Sequence, residues 1–265
     1  MKIGVIGLGV VGSAIKTGFE ELGHDVFGHD IKNNTSINDV LNTKICYICV
    51  PTPQDKIGRC DTTIVADVIK KLSELKYSGL VIIKSTVEPG TTDRLSNSFP
   101  NLNVGFVPEF LRERCAISDF IVNHDVCIIG VHTKKDFKLV KKSHGYYPKK
   151  FIMVNPKEAE ICKYFSNIYN ATLITFANSF YQVCSNLNVS YDNVKNAVKK
   201  RAHIDGTYLD CNKNFRGFGG VCLPKDTKAM DTFCKSRNID VNFFENILKE
   251  NEKYVVTVPK GMRKE

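Results

Sequence analysis

The stretch Gly7-Leu8-Gly9-Val10-Val11-Gly12 constrains the fold of this chain more than any other. It follows at once on a short apolar run, Lys2-Ile3-Gly4-Val5-Ile6, and leads into residues at helical spacing (Ala14, Ile15, Phe19, Leu22) that stop at Gly23. A second strand-like run from Asp25 ends on an acid, Asp30, eighteen residues after Gly12. The three glycines meet three different needs. Gly7 allows a tight turn, Gly9 lets a pyrophosphate approach the backbone, and Gly12 lets the helix pack on the sheet. The pyrophosphate would sit at the helix N-terminus, and Asp30 would take the ribose 2′-hydroxyl and repel a 2′-phosphate. Three spaced glycines alone are a weak signal. With the strand, helix, second strand and terminal acid, they predict a dinucleotide site that prefers NAD to NADP and uses Gly7, Leu8, Gly9, Val10, Val11, Gly12 and Asp30.

The alternation of strand and helix then continues. Ile45 to Val50 reads as a strand ending in Pro51-Thr52-Pro53, and Asp61 can cap a helix to about Lys76 that buries Ile64, Val65, Val68, Ile69, Leu72 and Leu75. Leu80 to Ile83 is the next strand, ending in Lys84-Ser85-Thr86, and Val87-Glu88-Pro89-Gly90 turns the chain into another helix. Asn103 to Val107 makes a strand before Pro108-Glu109-Phe110-Leu111-Arg112-Glu113, whose two acids, four apart, could share a helical face. Strands at Cys127 to Val131 and Phe151 to Val154 flank a helix around Lys134 to Lys142. The pattern predicts an α/β domain over residues 1–155, a Rossmann-type doubly wound parallel sheet. Ligands of such sheets bind beyond the carboxyl ends of the strands, where Pro51-Thr52-Pro53 and Lys84-Ser85-Thr86 both stand. Taken alone, each reads as turn chemistry.

Asn155-Pro156 closes the sheet, and a long amphipathic helix from about Lys157 to Leu187 opens an all-α second domain over residues 156–265. Ile161, Tyr164, Phe165, Ile168, Tyr169, Leu173, Phe176 and Ala177 keep its 3.6-residue period. A helix of this length packs on other helices or on its own copy, so a homodimer is expected. Lys163 and Asn167 share one of its faces. Helices from Tyr191 to Lys200 and Asp226 to Lys235 bracket Gly217-Phe218-Gly219-Gly220-Val221-Cys222-Leu223-Pro224-Lys225-Asp226. Pro224 suits the start of a helix, and a thiol there beside Lys225 would have a lowered pKa. A glycine-rich turn around a buried structural cysteine explains the same residues. Local chemistry leaves both readings open.

Size and composition exclude several classes. The chain has 265 residues and a formal charge of +9, but its lysines are spread over many helix faces and mixed with acids, so a solvated surface is expected and nucleic acid is not. No run is apolar enough to span a membrane. Strand-like residues from Lys2 leave no room for a signal peptide, and a cytoplasmic protein is expected. The ten scattered cysteines fit thiols in that compartment. Cys46 and Cys49, three apart on a strand, point to opposite faces and are not expected to share a metal.

Six segments in order carry a family resemblance: Gly7 to Gly12; Pro51-Thr52-Pro53; Lys84-Ser85-Thr86-Val87; Pro108 to Glu113; Ala159-Glu160-Ile161-Cys162-Lys163-Tyr164-Phe165-Ser166-Asn167; and Gly217 to Asp226. Together they resemble the UDP-glucose 6-dehydrogenases of the nucleotide-sugar dehydrogenase superfamily. The resemblance implies a two-step oxidation of a primary alcohol to a carboxylate, with two NAD molecules and no metal. By matching positions, Cys222 resembles the nucleophile that holds the thiohemiacetal and then the thioester. Lys163 matches the lysine that stabilises the oxyanion, and Asn167 its partner. Asp226, assisted by Thr86, resembles the carboxylate that handles protons and water. Glu109 matches the acid of thioester hydrolysis, and Glu113 one that contacts cofactor and substrate. Pro51, Thr52, Ser85 and Thr86 match further cofactor contacts. Glu109, Phe110, Leu111, Lys163, Asn167, Lys213, Asn214, Gly217 and Phe218 match positions that line the substrate pocket, with UDP-glucose the expected nucleotide sugar.

Three departures accompany the resemblance. The excursion between Asp30 and Ile45 is cut to Ile31 through Lys44. His203-Ile204 stands near where many members place an arginine that reaches a neighbouring subunit's substrate. The chain ends after Phe243 to Val256, with Thr257-Val258-Pro259 breaking the helix and a charged tail from Lys260 to Glu265, so a shortened form without the third, UDP-binding domain is expected. Two alternatives stay open: a dehydrogenase of GDP-mannose or another nucleotide sugar, and a non-catalytic NAD-binding partner subunit.

Overall fold

The computed structural model describes residues 1–257; the expected helix break at Val258-Pro259 and the charged tail lie outside the described residues. The chain divides into two compact units, one of Met1–Asp55 with Cys60–Lys163, the other of Lys56–Arg59 with Tyr164–Glu265.

The first unit is a seven-stranded sheet in the order β2-β1-β3-β4-β5-β6-β7. Its strands are β1 (Lys2–Ile6), β2 (Asp25–His29), β3 (Ile45–Ile48), β4 (Leu80–Ile83), β5 (Asn103–Phe106), β6 (Val126–Gly130) and β7 (Lys150–Val154). Because side chains alternate across a strand, a sheet buried on both faces needs near-continuous apolar runs, which β3 (ICYI) and β4 (LVII) supply with every residue buried. Ile48, Val81, Ile83 and Phe106 pack on one face with Val65, Ile69 and Leu72 of α2 (Thr63–Glu74). Ile3, Val5, Tyr47, Ile82 and Ile129 pack on the other with Ile15 and Phe19 of α1 (Val10–Glu21), Phe120 of α4 (Ala116–Ile121) and Val140 of α5 (Lys134–His144). Helices on both faces make the doubly wound architecture. α3 (Thr91–Ser98) lies between β4 and β5 in the chain.

The structure sharpens the expected sheet at three places. β5 and β6 meet antiparallel through one register pair, Phe106 with Gly130, while the other paired strands run parallel. The crossover from β2 to β3 holds only a 3₁₀ turn, Ile37–Val40, capped by the Ser36 side chain. Pro108 to Arg112 is not helical, so Glu109 and Glu113 do not share a helical face. The segment is tied instead by side chains: Glu109 accepts the Leu111 N–H at 2.7 Å, and Asp119 of α4 accepts the Arg112 N–H and its guanidinium Nε and Nη2. A 3₁₀ turn begins only at Glu113.

In the second unit the long helix α6 (Pro156–Asn186), whose first residues belong to the first unit, is followed by α7 (Tyr191–Val198), α8 (Leu223–Ser236) and α9 (Phe243–Asn251). Pro156 takes the first helical position, and Glu158 accepts the Asn155 N–H at 2.7 Å. α8 and α9 pack together, and no described helix is long and apolar enough to cross a membrane.

Candidate active site

The glycine loop is built as its spacing demands. Gly7 has φ +89°, and a Cβ there would meet the Cys49 carbonyl at 2.7 Å; a Cβ on Gly12 would lie 1.8 Å from the Gly7 oxygen. Gly9, the N-cap of α1, would meet nothing within 4 Å, so the space before its backbone is open. α1 has no acid in its first turn, and its N-cap carries no side-chain hydrogen bond, which leaves the N–H groups available to an anion. Asp30 follows β2. Its carboxylate accepts the Leu8 N–H at 2.7 Å and the Lys32 N–H at 2.9 Å, and the bonds from Lys32 and then Leu8 hold its pKa below the ordinary carboxylate range. Leu8, the glycines and Asp30 are thus one construction, ready for a diphosphate at one end and a ribose at the other.

A second group lies at the strand ends of the same unit. Lys163, on α6, is buried, and its ammonium donates to Glu109 Oε1 at 2.8 Å and to the Glu109 carbonyl at 2.7 Å, 5.9 Å from the centre of the Phe110 ring. Burial pushes the Glu109 carboxyl up, but the Lys163 ammonium and the Leu111 N–H more than offset it and keep the group ionised. Lys84, unassigned from sequence, joins this group. It is buried at the end of β4, donates to the Val107 and Pro108 carbonyls at 3.4 Å each, and has its pKa lowered by burial. Ser85 donates to the Val50 carbonyl at 2.7 Å and ties β4 to the loop of Pro51 and Thr52, while the Thr86 carbonyl accepts from Cys60 Sγ. Glu113 is half-buried in its 3₁₀ turn.

In the second unit Cys222 is the N-cap of α8, exposed, with Pro224 in the first turn as expected. Its carbonyl accepts the Asp226 N–H at 2.9 Å, which fixes Asp226 one turn on. Asp226 is buried; Asn167 donates to its Oδ2 at 2.6 Å, and the Lys225 ammonium lies 2.7 Å from its Oδ1. Gly217 has φ +62° and Phe218 is buried just behind. Lys213 and Asn214 lie on an exposed turn closed by Asn212 and Phe215, where Lys213 also lines a cavity of about 350 Å³ with Tyr181, Ser185 and Tyr191.

Residues 32–146 match the NAD binding domain of the UDP-glucose/GDP-mannose dehydrogenase family, and residues 157–253 match its central domain. The chain belongs to the UDP-glucose/GDP-mannose dehydrogenase family. It is 30% identical over 228 residues to a UDP-glucose 6-dehydrogenase of Rickettsia prowazekii, covering 83% of this chain and 51% of that protein. It is 32% identical over 222 residues to the UDP-glucose 6-dehydrogenase TuaD of Bacillus subtilis, covering 81% and 47%. The structure resembles a UDP-glucose dehydrogenase of Pyrobaculum islandicum with a TM-score of 0.88 at 28% identity, over 95% of this chain and 68% of that one. The chain spans about half the length of the curated relatives it matches.

As in a family of NAD-dependent enzymes, NAD is the cofactor, and the loop fits it: open space at Gly9, an unopposed helix N-terminus, and Asp30 at the end of β2. Sequence reasoning missed Lys84 and three side chains that bind distant backbone: Glu160 on Gly90 and Thr92, Asn178 on Gly217, and Asn251 on Phe218. Lys84 carried a readable sign, a lysine ending a strand of four apolar residues. The other three carried none, because each serves backbone far away in the chain.

Proposed function

We propose that this chain oxidises the primary alcohol of a nucleotide sugar, UDP-glucose, to the carboxylate, through a covalent intermediate on Cys222. Bound NAD would accept one hydride in each of two oxidations, held by Gly7 to Gly12 and Asp30, with Pro51, Thr52, Ser85, Thr86 and Glu113 as the further cofactor contacts that the family resemblance implies. The first oxidation leaves an aldehyde. The Cys222 thiolate adds to its carbonyl carbon and forms a thiohemiacetal, whose oxyanion the ammonium of Lys163 and the amide of Asn167 stabilise. Loss of the second hydride gives a thioester. Asp226, with Thr86, takes a proton from water as it attacks, and Glu109 assists; the carbon–sulfur bond breaks, and Cys222 leaves as the thiol. One alcohol and one water thus become one carboxylate, with four electrons removed.

The observation that carries this reading is Cys222 itself, exposed at the N-terminus of α8 with the buried, doubly gripped Asp226 one turn below. A helix N-terminus favours thiolate. The substrate-pocket roles of Phe110, Leu111, Lys213, Asn214, Gly217 and Phe218 belong to the same proposal, as do a homodimer through the exposed apolar stripe of α6 and a cytoplasmic setting for a chain whose ten cysteines are thiols.

The test is NADH formation across UDP-glucose, UDP-N-acetyl sugars and GDP-mannose. About two NADH per UDP-glucose are expected, as capture through a thioester requires. Faster turnover of another sugar would move the substrate assignment, and NAD binding without NADH from any sugar would overturn catalysis. Cys222→Ala is expected to abolish acid formation and keep NAD binding, read by calorimetry.

A further inference from the structure

The backbone just before Cys222 is held by side chains from two helices. Gly217 N–H donates to Asn178 Oδ1 at 3.0 Å, Phe218 N–H donates to Asn251 Oδ1 at 2.8 Å, and Asn251 Nδ2 donates back to the Phe218 carbonyl at 2.8 Å. Three backbone polar groups of this partly buried loop are satisfied this way. Asn251, at the end of α9, pairs with Phe218 as a neighbouring strand would. Asn178, on α6, is fully buried; its oxygen also accepts Arg216 Nε at 2.7 Å and Cys211 Sγ at 3.4 Å, while its Nδ2 is spent on the Ile174 carbonyl of its own helix at 2.9 Å. Glycine at 217 is part of the arrangement. Its φ is +62°, and a Cβ would stand 2.9 Å from Asn251 Oδ1.

We propose that Asn178 and Asn251 are positioning residues for Cys222: they clamp Gly217 and Phe218 and so fix where the thiol enters α8. The proposal rests on Cys222 being the nucleophile and adds the two residues that aim it. It also makes the two asparagines unequal. Every loop contact of Asn178 uses its oxygen, which aspartate keeps. Asn251 must accept and donate at once, which aspartate cannot do.

The test compares Asn178→Ala, Asn178→Asp, Asn251→Ala and Asn251→Asp in the full chain. The rate at which iodoacetamide labels Cys222 is read by peptide mass across a pH series, well below each variant's melting temperature. Both alanine variants are expected to slow labelling roughly tenfold and shift its pH profile, the scale of one buried hydrogen bond lost. Aspartate is expected to restore the parental profile at 178 and to leave it impaired at 251. Should Asn251→Asp not fold, Asn251→Leu, which can hold neither bond, takes its place with the same expectation. Parental labelling in the folded 251 variants, or rescue by aspartate at both positions, would overturn the proposal. A parent that forms no NADH would sink the dehydrogenase reading, yet the labelling comparison would still decide the clamp.

Discussion

His144 is buried between Phe19, Tyr47 and Phe120, with Nδ1 3.0 Å from the Val140 carbonyl, and the His124 ring lies 5.8 Å away. Burial first, then the Lys84 ammonium, lowers both pKa values, that of His124 to about 4. Both rings are neutral in the fold, whereas the unfolded chain takes up protons below the ordinary histidine value of about 6.5. The unfolded state therefore binds more protons as pH falls, and stability drops between about 6.5 and 4. His124→Phe is expected to remove up to roughly 2 kcal/mol of the stability difference between about pH 7 and pH 5, read by urea unfolding. A variant with the parental pH dependence would contradict it. At this scale the sequence told most where chemistry and chain position coincide: Asp30, Cys222 and Asp226 stand in motifs whose neighbours explain them. Lys84 and Asn251 meet their partners across 23 and 33 residues, and such distances are written only in the fold.

Glu160 shows how one element finishes another. α3 starts from Gly90 at φ +93° with no cap of its own, and the Glu160 carboxylate of α6 accepts the Gly90 N–H, the Thr92 N–H at 2.7 Å and the Thr92 hydroxyl at 2.6 Å. Burial raises its pKa, so these bonds offset a desolvation cost. Glu160→Ala leaves orphan donors at a buried helix start and is expected to cost about 1–3 kcal/mol, seen as a lower urea midpoint, while Glu160→Gln, which keeps an acceptor, loses less. Equal midpoints for Ala and parent would sink the cap. The elements were legible because apolar runs and glycine stops are local. Their edges were less so: α1 begins at Val10, ahead of the first helically spaced residue, Ala14, because the glycine turn leads straight into the helix. Asp61 precedes the N-cap Thr62, although its carboxylate does accept the Thr63 N–H. Glu109 and Glu113 read as a helical pair only because four-residue spacing cannot reveal that Asp119 claims Arg112.

At the scale of the molecule, α6 carries an apolar stripe left exposed among the described residues: Phe165 (72% exposed), Tyr169, Phe176, Phe180 and Val183. Contiguous exposed rings of this kind mark an interface, and the helical period that made α6 legible also placed them in line. The parent is expected to be a dimer by light scattering, and Phe176→Glu with Phe180→Glu to yield a folded monomer; a monomeric parent would end the idea. What periodicity could not supply was the single antiparallel junction of β5 and β6, since strand direction depends on which edge a returning chain reaches. The Asp30 carboxylate has a consequence of its own. Its oxygens already secure Leu8 and Lys32, so the group that would discriminate between cofactors also fastens the turn beneath the diphosphate. An engineer who exchanges Asp30 alone to admit a 2′-phosphate would loosen that turn in the same stroke. The outcome would be a poorer NAD binder in place of an NADP enzyme, and a change of preference would have to supply a second anchor for Leu8.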